Sequence, residues 1–132
     1  MFEKIHHIGI AVKDLESSMR FYEDKFNLKI LYIEELKENK VKVASFKIGD
    51  VNIELLEPTT FDSPIKSFIE KRGEGIHHIA YLVKDINKTL NELKEKGITL
   101  IDEKPRMGSH GTKIAFLHPK STFGVLIELV EE

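Results

Sequence analysis

Hydrophobic and polar side chains alternate over residues 4–12, with Ile8, Ile10 and Val12 on one side and His7, Gly9 and Ala11 on the other. That is the period of a β-strand. Asp14 then stands where a helix N-cap belongs, and Leu15, Met19, Tyr22 and Phe26 recur at helical spacing, predicting one amphipathic helix that ends near Asn27. Three strand-like runs follow, at 28–33, 41–48 and 51–57. Residues 35–40 form a charged loop between the first two, and Gly49-Asp50 is a tight hairpin signal between the last two. A short helix comes next, with Ser63 as cap, Pro64 in its first turn, an apolar face of Ile65, Phe68 and Ile69, and Gly73 closing it.

The plan then repeats. A strand over 76–83 sets Ile79, Tyr81 and Val83 against His78, Ala80 and Leu82. Asp85 caps a helix whose stripe, Ile86, Leu90 and Leu93, lies 71 residues after Leu15, Met19 and Tyr22, and Gly97 ends it. Strands near 98–102, 112–117 and 124–130 complete the second copy, with a loop over 104–111 too rich in Gly and Pro for regular structure.

Identity repeats along with pattern. Residues 6–15 return at 77–86 with six of ten positions the same, and Ile53-Glu54-Leu55-Leu56-Glu57 returns 74 residues on as Ile127-Glu128-Leu129-Val130-Glu131. Two copies of this length point to a duplicated β-α-β-β-β module inside a single α+β domain, 1–132, rather than to a solenoid. Module one covers 1–60, module two 76–132, and 61–75 is the connector. Each sheet packs its helix on one face and turns the other inward. Parity puts His7 and His78 inward, together with Asn52, Glu54 and Leu56 on one later strand and Leu126, Glu128 and Val130 on the other. Val51, Ile53, Leu55, Val125, Ile127 and Leu129 face the helices.

Composition narrows the chemistry. A length of 132 residues with 41% hydrophobic and 32% charged side chains is that of a folded globular domain. A net charge of −2 argues against a general nucleic-acid partner, and the absence of cysteine excludes disulfides, thiolate nucleophiles and cysteine-held zinc. The polar pair His6-His7 leaves no room for a signal-peptide apolar stretch, and no apolar run approaches the roughly 18 residues of a membrane span. A cytoplasmic protein is the expectation.

Two histidines and two glutamates on inward strand faces, His7, Glu54, His78 and Glu128, make a mixed nitrogen and oxygen site for a divalent metal. Zinc, cobalt, nickel, manganese and ferrous iron all suit such ligands. Singly, each has an ordinary explanation as a satisfied core histidine or a solvent-facing glutamate. A buried carboxylate is costly unless paired or metal-bound, however, and finding the arrangement twice favours chemistry over coincidence. His6 and His77 fall on the helix side and read as structural. His110, in its Gly-rich loop, is a surface residue, a substrate contact or a proton carrier, while His118 is a turn residue with no assigned chemistry.

These motifs resemble the vicinal-oxygen-chelate (glyoxalase) superfamily. The chain is similar, over nearly its full length, to the methylmalonyl-CoA epimerases within it. The resemblance rests on residues 7–12 with Asp14, 53–58, 75–80, 116–121 and 124–129; the His118-Pro119-Lys120 turn leading into Gly124-Val125-Leu126-Ile127-Glu128 is its most specific part. It implies two tandem modules forming a metal-containing cleft, with His7, Glu54, His78 and Glu128 as ligands and an acyl-CoA substrate. The implied reaction removes and returns the proton α to a thioester through a metal-stabilised enolate, and the symmetry of the sequence echo points to Glu54 and Glu128 as the acid and base. It also implies a homodimer. Ser109, His110 and Lys120 are candidate substrate contacts, and Lys104, Arg106 and Lys113 candidate cations for the CoA phosphates. This chain departs from some epimerases in having Lys42 where they place a non-ligand glutamate, and glutamate rather than glutamine at Glu54. The same four ligands would serve a lactoylglutathione lyase, and a metal-free small-molecule-binding protein of the same fold is the alternative outside enzymes.

Overall fold

A computed structural model describes residues 1–132. Eight strands and three α-helices run in the order β1 (Lys4–Ala11), α1 (Leu15–Phe26), β2 (Ile30–Leu36), β3 (Val41–Ile48), β4 (Val51–Pro58), α2 (Pro64–Arg72), β5 (Gly75–Leu82), α3 (Ile86–Glu95), β6 (Arg106–Met107), β7 (Lys113–Leu117) and β8 (Ile127–Glu131). The chain divides into two compact units, His7–His77 and Met1–His6 with His78–Glu132. None of the helices is long and apolar enough to cross a membrane.

In the His7–His77 unit the strands lie in the order β2-β3-β4-β1, with β1 parallel to β4 and the other pairs antiparallel. Its α1 layer packs Leu15, Met19 and Tyr22 onto Val12, Ala44, Phe46 and Leu55, joined by Ile10 and Ile53. Phe46 is fully buried, and its removal to alanine would cost about 3–5 kcal/mol. The opposite, inward face carries Ala11, Val41, Val43 and Leu56, and Ile65, Phe68 and Ile69 of α2 cover part of it. The connector helix therefore belongs to this unit's core. Ser63 caps it through a hydrogen bond from the Ile65 N–H at 3.2 Å.

In the second unit the order is β5-β8-β7-β6, with β5 parallel to β8. Ile86, Leu90 and Leu93 of α3 pack on Val83, Ala115, Leu117 and Leu129, and the inward face carries Ala80, Ile114, Phe116 and Val130.

The register explains why the sequence echoes at two offsets. Ser45 lies opposite Glu54 and Phe116 opposite Glu128. Ser45 and Phe116 are 71 apart, whereas the two glutamates are 74 apart. The three extra residues therefore sit between β7 and β8, where a 3-10 turn at Pro119–Ser121 replaces the two-residue Gly49-Asp50 hairpin. Gly49 takes φ 60° there, a conformation glycine adopts without cost.

Several expectations need correction. Residues 98–102 form no strand beyond one bridge between Leu100 and Leu117. The Asp102 carboxylate accepts the Phe116 N–H at 2.9 Å, taking the place of a ladder carbonyl, and pairing resumes only at β6 inside the Gly/Pro-rich loop. The last strand begins at Ile127 rather than near 124, because the Thr122 hydroxyl donates to the Val125 carbonyl and keeps that segment in the turn. Val125 is exposed instead of facing α3. Phe26 ends the α1 stripe outside the core, packing edge-on against Phe21 and Tyr22. Asp14 sits at the N-cap of α1, but its side chain makes no capping hydrogen bond.

Candidate functional site

Each unit carries one buried histidine–glutamate pair on its inward face, built from two parallel neighbouring strands. In the first, β1 lies beside β4 with Gly9 opposite Glu54. His7, two residues before Gly9, shares that face, and its Nδ1 lies 3.5 Å from Glu54 Oε2. In the second, Ala80 of β5 lies opposite Glu128 of β8, and His78 Nε2 is 2.9 Å from Glu128 Oε1. On the parallel-strand side the residue beside each glutamate is glycine or alanine, and on the antiparallel side it is Ser45 for Glu54 and Phe116 for Glu128.

All four side chains are deeply buried: His7 3%, Glu54 3%, His78 5% and Glu128 4% exposed. A carboxylate in such surroundings needs positive charge or several hydrogen bonds. Two imidazoles and two carboxylates are also the donor set that divalent transition metals prefer, so the residues fit a metal.

The surroundings of the two pairs differ. The Tyr32 hydroxyl donates to Glu54 Oε2 at 3.3 Å. Ser45, between them in the sheet, is fully buried and its hydroxyl has no hydrogen-bond partner. In the second unit His78 meets the Phe116 ring edge-on, centroids 5.6 Å apart, and the Arg106 guanidinium lies over the same ring at 5.4 Å. Arg106 is held in turn by Asp102, Nε to Oδ1 3.3 Å. Of the cations read from the sequence, Arg106 is thus tied by a ring contact to a site histidine.

His6 meets Glu132, Nε2 to Oε2 3.3 Å, and His77 packs edge-on against Phe68 of α2 at 5.0 Å. Ser109 and His110 lie in a 3-10 turn before β7, with the exposed His110 in the left-handed region at φ 55°. Lys120 is exposed in the turn after β7, where its N–H donates to His118 Nδ1 at 3.0 Å. These candidates lie in the turns before and after β7. Lys42 is exposed and has the parity of the α1 face. The inward positions of β3 are Val41, Val43 and Ser45, so the departure read at Lys42 does not touch the site.

Sequence reasoning missed Tyr32 and Phe116 as neighbours of the site. Both lie inside strands the periodicity places, 28–33 and 112–117, but their approach to the glutamates depends on the order and register of the strands.

The chain matches the family described as the Glyoxalase/Bleomycin resistance protein/Dioxygenase superfamily over residues 6–116. It is 39% identical over 127 residues to the mitochondrial methylmalonyl-CoA epimerase of Homo sapiens, covering 96% of this chain and 72% of that one. To the ethylmalonyl-CoA/methylmalonyl-CoA epimerase of Cereibacter sphaeroides it is 37% identical over 131 residues, covering 98% of each. A solved methylmalonyl-CoA epimerase in complex with methylmalonyl-CoA and NH4+ superposes with a TM-score of 0.97 at 38% identity, covering all of this chain and 96% of that one.

Proposed function

We propose, from the premise that this chain belongs to the glyoxalase/bleomycin resistance protein/dioxygenase superfamily, that it epimerises methylmalonyl-CoA. The observation that carries the reading is the pair of buried His–Glu sets, one per unit, each with a small residue beside its glutamate. His7, Glu54, His78 and Glu128 are the residues we assign to a divalent metal: cobalt, zinc, manganese, nickel or iron. When bound, such an ion supplies Lewis acidity toward the thioester carbonyl and so acidifies the α-carbon.

Glu54 and Glu128 are the acid and base. One, as carboxylate, takes the α-proton of the substrate. The other, as carboxylic acid, returns a proton to the opposite face of the planar enolate, and the two exchange protonation states over a turnover. Burial serves this exchange, since a carboxylate stripped of water is a stronger base than one in solvent. Arg106, and at the far end of β7 Lys120, are the cations we place along an anionic acyl-CoA, with Ser109 and His110 contacting the acyl end. The reading includes a cytoplasmic homodimer; exposed Leu31 and Ile33 on the edge strand β2 are the kind of apolar surface that a subunit contact covers. A lactoylglutathione lyase would use the same four residues, but this chain is 37–39% identical to the epimerases and 26% identical to a matched lactoylglutathione lyase.

Incubation of the cobalt-loaded protein with one epimer of methylmalonyl-CoA in deuterated water tests the proposal. Deuterium at the α-carbon together with inversion is the expected result. Turnover of the methylglyoxal–glutathione hemithioacetal with no exchange into methylmalonyl-CoA would sink it.

A further inference from the structure

On the inward face of the His7–His77 unit, four residues stand in one row across the sheet: Tyr32 on β2, Ser45 on β3, Glu54 on β4 and Gly9 on β1. The phenol of Tyr32 passes over β3 to reach Glu54, donating to Oε2 at 3.3 Å. Strands are spaced about 4.8 Å apart, so this contact spans about 9.6 Å of sheet and needs a long side chain at one end and a small one between. Ser45 is that small residue. It is fully buried and its hydroxyl is bonded to nothing, so its size, not its polarity, accounts for its place.

The same oxygen, Oε2, faces His7 Nδ1 at 3.5 Å. Tyrosine and histidine thus converge on one oxygen, and together they fix the rotation of the carboxyl group about its last bond. The second unit solves the problem differently. Phe116 occupies the place of Ser45, a ring too large for another side chain to cross, and His78 meets Glu128 directly at 2.9 Å.

We infer that Tyr32 is a positioning residue for Glu54: its hydroxyl orients the carboxylate toward the bound metal and substrate. The inference rests on the metal reading proposed above. Hydrogen bonds from behind a ligating carboxylate set its orientation, and their loss weakens metal affinity about 10- to 100-fold.

The test is Tyr32→Phe, which keeps the ring packed against the inward apolar cluster and removes only the hydroxyl. Cobalt is titrated into metal-free wild type and variant while the visible d–d absorption is recorded, and both metal-free proteins are melted. The expected result is a cobalt Kd about tenfold higher in the variant, with an altered absorption band and a near-unchanged melting temperature. Equal cobalt affinity and identical spectra would overturn the role of Tyr32 while leaving the metal reading intact. A wild-type protein that binds no cobalt would remove the metal reading, and this inference with it.

Discussion

Glu57, at the end of β4, accepts a hydrogen bond from the backbone N–H of Leu15, the first residue of α1, at 3.0 Å. Its repeat partner Glu131 does the same for Ile86 at the start of α3, at 2.9 Å. A helix N-terminus carries unsatisfied donors and partial positive charge, and a carboxylate answers both. Each echo therefore holds two glutamates with different duties: the first faces inward, and the one three positions later faces the helix and caps it. Glu57→Ala should lower the unfolding free energy by about 1 kcal/mol, read as a reduced urea midpoint with an unchanged slope. A midpoint equal to wild type would mean that Asp14 takes over the cap.

Ser45→Ala should raise stability by about 1 kcal/mol, because it removes a buried hydroxyl that has no partner and leaves Tyr32 room to cross. Thermal melts of metal-free protein check this. Destabilisation would show that the hydroxyl is bonded in solution.

Glu54→Gln keeps the shape of the side chain and the reach of Tyr32 but cannot accept the α-proton. In the metal-loaded variant kcat should fall about a hundredfold or more. Full activity at saturating metal would reduce Glu54 to a ligand and leave proton transfer elsewhere.

Asp62, in the loop before α2, is held at a pKa of about 2, below its ordinary 3.8, chiefly by the hydrogen bond from the Lys40 side chain and then by that from Thr60. A lowered carboxylate pKa stabilises the fold above the ordinary value, and that contribution disappears as pH falls from about 4 towards 2. An NMR titration of the Asp62 side-chain carboxyl carbon should show a midpoint near 2 in wild type, moving back towards 3.8 in Lys40→Ala. A wild-type midpoint near 3.8 would show that the pair does not hold in solution.

The two inward histidines were legible from the sequence because β1 and β5 alternate cleanly and carry small residues, Gly9 and Ala80, two positions after them. Parity separated His7 from His6, and the structure buries His7 beside Glu54 while His6 meets Glu132. The helix caps were not legible in the same way. Asp14 has the residue type of a cap and the backbone of one, at φ −132°, yet the carboxylate that serves Leu15 comes from 42 residues further on. Local propensity cannot see a competitor supplied by tertiary structure. The missing strand at 98–102 failed for a related reason: Ile98 and Leu100 do pack into the α3 layer, as their alternation suggests, but Asp102 occupies the hydrogen-bonding position of a ladder. The reach of Tyr32 needed the strand order β2-β3-β4, which no periodicity contains.

His7 and Glu54 stand on the first and last strands of their β-α-β-β-β plan, and so do His78 and Glu128. Neither pair can arise from a local hairpin or a nascent helix; each requires the parallel strands that close the plan, after the loop entropy of some fifty residues has been lost. A growing chain that has not yet completed β4 possesses the first histidine without its carboxylate, and one that has passed β5 but not reached β8 possesses His78 without Glu128. Each histidine waits for its carboxylate until its own module is closed, so a chain that stops between β5 and β8 carries one finished pair and one unfinished.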